Sequence, residues 1–182
     1  MSSPIALQRR VLLRAPEIER MIARLAHQIL EPEDVQSDLY LLGIRRGGEA
    51  PAQRIAAQIA RISGRKPSLG FLNINLYRDD AVTHRQPESQ IPDDVNGKTV
   101  VIIDDVLFTG RTIRSALDAV TDLGRPGAIR LCVIVDRGLR ELPVQGDYVG
   151  RTIPTSRRER VVVSVGSTPS ADDEVAIVAD EA

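Results

Sequence analysis

Two kinds of hydrophobic pattern alternate along this chain. In the first, apolar residues recur every three or four positions, which predicts a helix over residues 16–32 and a second one over residues 50–62. In the second, apolar and β-branched residues follow one another, without interruption over residues 39–44 and 100–103 and with the single exception of Arg130 over residues 129–135. Such runs are typical of strands in a parallel sheet that is covered on both faces. The alternation predicts an α/β fold, with a mostly parallel central sheet flanked by helices.

The remaining segments are less regular. A further helix is predicted over residues 112–123, an alternating strand over 69–77, and two closing strands over 161–165 and 175–178. Residues 78–96 are polar, contain two prolines and lack periodicity. A loop of this length inside a compact domain usually has a function, so we expect a flexible lid there.

Length and composition are those of an ordinary globular protein. The chain has 182 residues, of which 42% are hydrophobic and 27% charged. We expect one domain over residues 1–182, with an N-terminal extension at 1–14 and an acidic C-terminal segment at 166–182. No apolar run approaches the roughly 20 residues of a membrane span, and the first residues lack the apolar core of a signal peptide. The single cysteine, Cys132, excludes an internal disulfide. These features predict a cytoplasmic protein with no membrane partner.

The net charge of −1 conceals an uneven distribution. The acidic C-terminal segment holds five acidic residues and no basic one, so the rest of the chain is positively charged. Arginines cluster in two stretches, over residues 9–24 and 151–160. Such clusters attract phosphate-bearing ligands or nucleic acid. A solvated helix face and a charged turn would give the same pattern, so both interpretations stay open.

Polar residues directly follow three of the predicted strands. Residues 45–48 follow the first, Asp104 and Asp105 follow the second, and residues 136–138 follow the third. In open α/β sheets, ligands bind at the carboxyl ends of the strands. These three segments therefore form the candidate site.

The segment from Val100 to Thr112, VVIIDDVLFTGRT, carries the clearest chemistry. Its two adjacent carboxylates are costly to desolvate unless they meet cations or hydroxyl donors. Residues 109–112 stand where a loop enters a helix, and there free N–H groups and the helix dipole favour a phosphate. One segment thus offers carboxylates to hydroxyl groups and a nest to a phosphate, which suits a sugar phosphate. It is not a Walker A loop, because the Gly-x-x-x-x-Gly-Lys pattern is absent.

This segment resembles the phosphoribosyl-pyrophosphate (PRPP) signature of type I phosphoribosyltransferases. Further motifs follow in the order of the pyrimidine operon attenuator / uracil phosphoribosyltransferase family: LYRDD at 76–80, DLGRP at 122–126, VDRG at 135–138, RELP at 140–143 and IPTS at 153–156. The resemblance covers about residues 15–180. It implies the type I phosphoribosyltransferase fold, with a small hood and a flexible lid.

The resemblance also assigns roles to residues at the strand ends. Asp104 and Asp105 are expected to bind the ribose hydroxyls and to ligate Mg²⁺, which the oxygens of PRPP mainly hold. Pyrophosphate is expected at the loop that contains Arg45, Arg46 and Gly47. Further PRPP and UMP contacts are expected from Val106, Leu107, Phe108, Thr109, Gly110, Arg111 and Thr112, and from Asp136 and Arg137 beside the base. The catalytic residues implied are Asp104, Asp105, Arg78 and Arg137.

The reaction implied converts uracil and PRPP to UMP and pyrophosphate. Purine phosphoribosyltransferases commonly carry an acid directly before the Thr-Gly pair, where this chain has Phe108. A phenyl ring exchanges no proton with a purine, so Phe108 favours a pyrimidine. The family's pyrophosphate loop commonly reads Thr-Arg-Gly, whereas residues 46–48 read Arg-Gly-Gly, which leaves open which arginine contacts pyrophosphate. A nucleotide sensor with little catalysis and an enzyme for another base are the alternatives.

The resemblance further implies UMP-responsive binding to leader mRNA, and so regulation of pyrimidine biosynthesis genes by transcription attenuation. Four residues fit the RNA-binding surface of the family, namely Arg24, His27, Arg140 and Arg151. Ala23, Leu139 and Gln145 stand where RNA-binding members tend to have threonine, histidine and arginine. Binding of RNA and a purely catalytic role therefore both stay open. A homodimer or homotetramer is expected from the resemblance alone.

Overall fold

The computed structural model describes residues 9–32, 38–78 and 88–179. The elements in chain order are β1 Arg9–Arg14, α1 Ala15–Leu30, β2 Leu39–Ile44, α2 Glu49–Ser63, β3 Ser68–Leu72, β4 Thr99–Leu107, α3 Arg111–Leu123, β5 Ala128–Asp136, β6 Tyr148–Thr152, β7 Glu159–Ser164 and β8 Glu174–Ala179. Within the described residues five parallel strands form the central sheet, in the order β3-β2-β4-β5-β6, and three antiparallel strands form a second sheet, in the order β1-β8-β7. This architecture confirms the predicted α/β fold.

Helices cover both faces of the central sheet, which explains its continuous apolar strands. Successive side chains of a strand point to opposite faces. Leu41 and Val101 therefore pack with α1 and α2 on one face, whereas Leu42 and Val100 pack with α3 on the other. All six residues of β2 are buried. Because the sheet is parallel, the carboxyl ends of its strands lie at one edge, where the predicted site segments follow.

The three-stranded sheet joins the two ends of the chain. Residues 9–14, predicted as an extension, form β1 and pair antiparallel with β8. β7 pairs with the other edge of β8. The two predicted closing strands are therefore confirmed as strands, but they belong to this separate sheet and not to the central one. The hydrophobic pattern did not predict β1 as a strand, because its outer positions are arginines, although Leu13 is buried.

A buried charge cluster attaches this sheet to the helices. Arg54 of α2 forms ion pairs with Asp173, at the turn before β8, and with Glu19 of α1. Arg54 and Asp173 are both 4% exposed. Burial raises the pKa of Asp173, but the Arg54 guanidinium and the backbone N–H groups of Ser170 and Gly166 outweigh it, so the pKa lies below its ordinary value. Part of the acidic C-terminal segment is thus built into the fold.

Two element boundaries differ from those predicted. The strand predicted over 69–77 ends at Leu72, because the Asn73 side chain accepts a hydrogen bond from the N–H of Asn75 (2.9 Å) and turns the chain into one 3₁₀ turn. Conversely, Asp104 and Asp105 do not end their strand. β4 continues to Leu107, because β5 runs beside it as far as Asp136 and supplies partners for its backbone.

The predicted lid is described only in part. Residues 79–87 lie outside the described residues, so its flexibility stays a prediction. Beyond them, Gln90 and Phe71 exchange two backbone hydrogen bonds of 2.8 Å, and Val95 is 1% exposed. Residues 88–96 are therefore attached to the edge of the central sheet. Among the described residues, no helix combines the length and the apolar character needed to cross a membrane.

Candidate active site

The loop between β4 and α3 surrounds a cavity of about 460 Å³. Gly110 begins this helix with φ +94°, and a Cβ there would lie 3.3 Å from the Cβ of Leu142. Gly110 provides no side-chain cap to the first turn of α3, and that turn holds no acidic residue. Its backbone N–H groups and the helix dipole therefore favour an anion. The lining includes Arg78, Val106, Leu107, Phe108, Thr109, Gly110, Arg111, Thr112, Ile113 and Ser115.

Asp104 and Asp105 lie in the last half of β4, two to three residues before its carboxyl end at Leu107. Asp104 is 5% exposed, and one of its oxygens accepts a hydrogen bond from the N–H of Asp105 (3.0 Å). Burial first, and the neighbouring Asp105 second, raise the pKa of Asp104 well above its ordinary value. Burial also raises the pKa of Asp105. Hydroxyl donors or a cation would stabilise the charged form of this pair.

The loop after β2 lies directly against Asp105. A Cβ on Gly47 would collide with the carboxyl group of Asp105, and a Cβ on Gly48 would collide with the carbonyl oxygen of Ile103. The loop closes through a hydrogen bond from the Gly48 N–H to the Ile44 carbonyl (2.8 Å), and its Arg45–Arg46 peptide bond is cis. Glycines at both positions thus allow the backbone to approach the carboxylates, as the predicted pyrophosphate site requires.

The two arginines of this loop occupy different environments. Arg45 is 8% exposed, donates to the Glu49 carboxylate (2.7 Å), and stacks on the Phe71 ring with 5.5 Å between the guanidinium carbon and the centroid. Arg46 is exposed. Arg45 therefore supports the loop from inside the fold, and Arg46 is the one whose side chain is accessible to a ligand.

Arg137 packs against Phe108, which lines the cavity, and directly follows Asp136, the last residue of β5. The Arg137 guanidinium lies 4.0 Å from the centroid of the Phe108 ring. Arg137 is 5% exposed and donates to the hydroxyl of Thr155 (2.8 Å) and to the carbonyl of Ser156 (2.9 Å). Its guanidinium thus ties the segment after β6 to the phenyl ring.

Arg78 lies at the edge of the cavity, directly before residues 79–87. Its positive charge favours ionisation of Asp104, although burial dominates that pKa. The preceding residue, Tyr77, is held to α3 by two hydrogen bonds, from the Ser115 hydroxyl to its carbonyl (2.9 Å) and from its own hydroxyl to Asp122 (2.8 Å). The first residue of the predicted lid is therefore fixed beside the carboxylate pair.

Three of the four predicted RNA-binding residues lie on one side of the protein. Arg24 and Arg151 line a pocket of about 300 Å³ between α1 and β6, and Arg24 and His27 line the neighbouring one. All three are exposed. Arg24 also donates to backbone carbonyls of β6. Arg140 differs in being half-buried, and its guanidinium donates to the carbonyl of Phe108 (3.0 Å), beside the cavity. The motif RELP begins with Arg140, but the sequence did not predict the contacts of this residue within the chain.

The donor chemistry of the site fits Mg²⁺ shared with a substrate. No group of three or more His, Cys, Asp or Glu residues able to hold a metal occurs within the described residues. The Asp104–Asp105 pair is nevertheless adjacent to a glycine loop suited to phosphate oxygens. One or two carboxylates that complement substrate phosphates form the usual protein environment of Mg²⁺.

Comparisons with known proteins agree with this geometry. The model of the phosphoribosyl transferase domain family matches residues 9–168. A relative named bifunctional protein PyrR, from Chloroflexus aurantiacus, is 49% identical over 168 residues, which cover 90% of this chain and 92% of the relative. One of the same name from Pelotomaculum thermopropionicum is 48% identical over 163 residues, covering 87% and 90%. The solved hypoxanthine phosphoribosyltransferase of Trypanosoma cruzi covers 94% of this chain and 97% of its own with a TM-score of 0.72, but at 16% identity it supports the fold alone. The chain therefore belongs to the phosphoribosyl transferase domain family and, within it, to the family of the bifunctional PyrR proteins.

Proposed function

We propose that this protein transfers the phosphoribosyl group of PRPP to uracil and so forms UMP and pyrophosphate. The observation that carries the proposal is the convergence of three features at one sheet edge. These are the carboxylate pair of β4, of which Asp104 is buried, the N-terminus of α3, which Gly110 leaves without a side-chain cap, and the glycine loop that lies against Asp105. They match the hydroxyl groups, the 5′-phosphate and the pyrophosphate of PRPP respectively.

Each feature acts on a different part of the substrate. Asp104 and Asp105 accept hydrogen bonds from the ribose hydroxyls, which supplies the donors that their burial requires. The N–H groups of residues 110–112 hold the 5′-phosphate. Gly47 brings the loop backbone to the pyrophosphate, and the exposed Arg46 supplies a positive charge.

Catalysis follows from stabilising the charges that develop as the bonds change. The bond from C1 of the ribose to pyrophosphate breaks, the bond from C1 to N1 of uracil forms, and the N1 proton is released. When bound, Mg²⁺ would neutralise negative charge on the departing pyrophosphate. Arg46, exposed on the loop after β2, and Arg78, at the edge of the cavity, add positive charge. The predicted lid over residues 78–96, of which 79–87 lie outside the described residues, would exclude the water that otherwise hydrolyses the activated sugar.

Uracil is the proposed base because Phe108 borders the base end of the cavity. Its ring stacks on Arg137 and offers no proton to a purine nitrogen. An acid at this position would supply that proton. The same argument opposes hypoxanthine as the substrate.

The test is Mg²⁺-dependent formation of UMP from uracil and PRPP, with hypoxanthine and orotate as competing bases. We expect UMP as the main product and no rate without Mg²⁺. Preference for hypoxanthine or orotate would overturn the assignment of the base. Absence of any rate, with UMP still bound, would indicate a nucleotide sensor in place of an enzyme.

The second proposed function is UMP-responsive binding of leader mRNA, and with it regulation of pyrimidine genes by transcription attenuation. The supporting observation is the exposed basic surface on α1 and β6, which includes Arg20, Arg24, His27 and Arg151. Arginines on such a surface bind phosphates, and removal of any one of these arginines reduces the salt dependence of RNA binding.

A titration of labelled leader RNA at several salt concentrations tests this second function. Arg151→Gln is expected to weaken binding several-fold and to lower the slope of log affinity against log salt by about 0.7, the value for one phosphate of a single strand. Arg65→Gln, an exposed arginine on the turn after α2, is the matched control. The absence of saturable binding in the presence of UMP would remove the regulatory function.

We also propose that the protein acts in the cytoplasm as a homodimer or homotetramer. The single Cys132 is buried and unpaired by any disulfide, which fits a reducing compartment. Light scattering at micromolar concentration tests the assembly, and a monomer peak would contradict it.

A further inference from the structure

The guanidinium of Arg140 is occupied by acceptors of this chain. Its Nε donates to the Val144 carbonyl (2.8 Å), and one terminal nitrogen donates to the carbonyls of Phe108 (3.0 Å) and Gly138 (3.3 Å). The other terminal nitrogen forms an ion pair with Asp136. The Arg140 side chain is 22% exposed. All three of its nitrogens therefore bind inside the protein.

These acceptors lie at the ends of β4 and β5, next to the proposed uracil site. Phe108 directly follows β4 and lies in the loop between β4 and α3, whereas Asp136 is the last residue of β5. Gly138 and Val144 belong to the loop that follows β5. The Arg140 side chain is thus hydrogen-bonded to the ends of both strands and to the loop that follows β5.

Backbone hydrogen bonds place the same loop against the phosphate site. The N–H groups of Glu141 and Leu142 donate to the Thr109 carbonyl (2.9 and 3.1 Å), and the N–H of Arg137 donates to the Leu107 carbonyl (3.1 Å). The backbone therefore fixes the loop to Leu107 and Thr109, on either side of Phe108. The Phe108 carbonyl between them is bound by the Arg140 side chain.

We propose that Arg140 is a positioning residue for uracil, which sets the position of Phe108 relative to Asp136. This inference rests on the proposed transfer to uracil. It departs from a role in RNA binding, because internal acceptors occupy four of the five N–H donors of the guanidinium, which leaves one for a phosphate unless those bonds break. Removing its side chain leaves the Phe108 carbonyl without this donor and the Asp136 carboxylate without its ion pair. We therefore expect Phe108 and Asp136 to become more mobile, while the proposed 5′-phosphate site at the start of α3 keeps its structure.

Steady-state kinetics of Arg140→Gln and Arg140→Lys test the inference, with Arg65→Gln as the control. We expect the KM for uracil to rise about tenfold or more in both variants, while the KM for PRPP changes less than about threefold. Lysine is not expected to restore uracil binding, because a compact ammonium cannot reach acceptors spread around a planar guanidinium. A merely structural effect would change both KM values together, and thermal unfolding of each variant monitors the fold.

Three outcomes separate the possibilities. If Arg140→Lys folds and keeps the wild-type KM for uracil, the positioning role is refuted. If uracil kinetics are unchanged while affinity for leader RNA falls, Arg140 is an RNA contact and the inference is also refuted. If the wild-type protein forms no UMP, the proposed function fails instead. The affinity for UMP then tests the positioning role of Arg140, and we expect it to be at least tenfold weaker in Arg140→Gln than in the wild type.

Discussion

Replacing Arg54 with methionine removes the cation that the Asp173 and Glu19 carboxylates share. Methionine fills much of the same volume, so the change isolates the charge. Loss of one partner from a buried ion pair costs about 3–5 kcal/mol, because the other charge stays buried and unpaired. The Glu19 side chain is 36% exposed and adds little after solvent screening. Asp173 keeps the N–H groups of Gly166 and Ser170, which places the expected loss near the lower value, at about 3 kcal/mol.

The sign of the pH dependence follows from the pKa of Asp173. In the folded protein this pKa lies below its ordinary value. The interaction therefore stabilises the fold above the ordinary carboxyl pKa and is lost as the pH falls through the folded value. Without Arg54, burial would raise the pKa of Asp173. Acid then neutralises the unpaired carboxyl group. The difference in the free energy of unfolding between the wild type and the variant is therefore expected to shrink between pH 7 and about pH 4.

Urea unfolding at pH 7 and pH 4 measures both effects. A loss of about 3 kcal/mol corresponds to a fall in Tm of roughly 6–12 °C for a domain of this size. The double variant Arg54→Met/Asp173→Asn is expected to recover most of the loss, since it leaves no buried unpaired charge at Asp173. Arg65→Met is the surface control, with an expected change within about 0.5 kcal/mol. A loss below about 1 kcal/mol at pH 7, or an equal loss at both pH values, would refute the reasoning.

Three further predictions concern the site and the core. Asp105→Asn is expected to reduce UMP formation at least 100-fold with little change in Tm, and near-normal activity would contradict the sugar-site assignment. Gly47→Ala places a Cβ against the Asp105 carboxyl group, so kcat/KM is expected to fall by about 10–100-fold; an unchanged rate would show that the loop moves freely. Burial raises the pKa of the Cys132 thiol to about 12, so a thiol reagent at pH 8 is expected to react only after denaturation, and rapid reaction of the native protein would contradict this.

Sequence patterns were sufficient wherever a segment is buried on both faces or carries a local motif. β2 and the central parts of β4 and β5 are mostly apolar because helices cover both sides of the sheet. The loop between β4 and α3, which we propose binds phosphate, could be predicted as a site because its residues are adjacent in the chain. Its chemistry depends on a strand end and a helix start, which local sequence specifies.

The less regular elements show where such patterns end. β6 has only five residues, YVGRT, and its last two are exposed. β1 carries arginines on its outer side and gains its strand partner from β8, more than 160 residues later. Edge strands of this kind obtain their backbone hydrogen bonds from distant segments, so a local pattern does not predict them.

The roles of individual arginines depended on the tertiary structure. Arg45 and Arg46 are neighbours in sequence, yet one is buried against Phe71 and the other is exposed. Arg140 fits the family's RNA-binding surface by its place in the sequence, but its guanidinium binds acceptors within this chain. The sequence determined the fold class and the residue types of the site, since both follow from local periodicity and short motifs. Only the folded chain decided which charges meet, because a guanidinium binds the acceptors that folding brings to it, as Arg54 does with Asp173 across 119 positions.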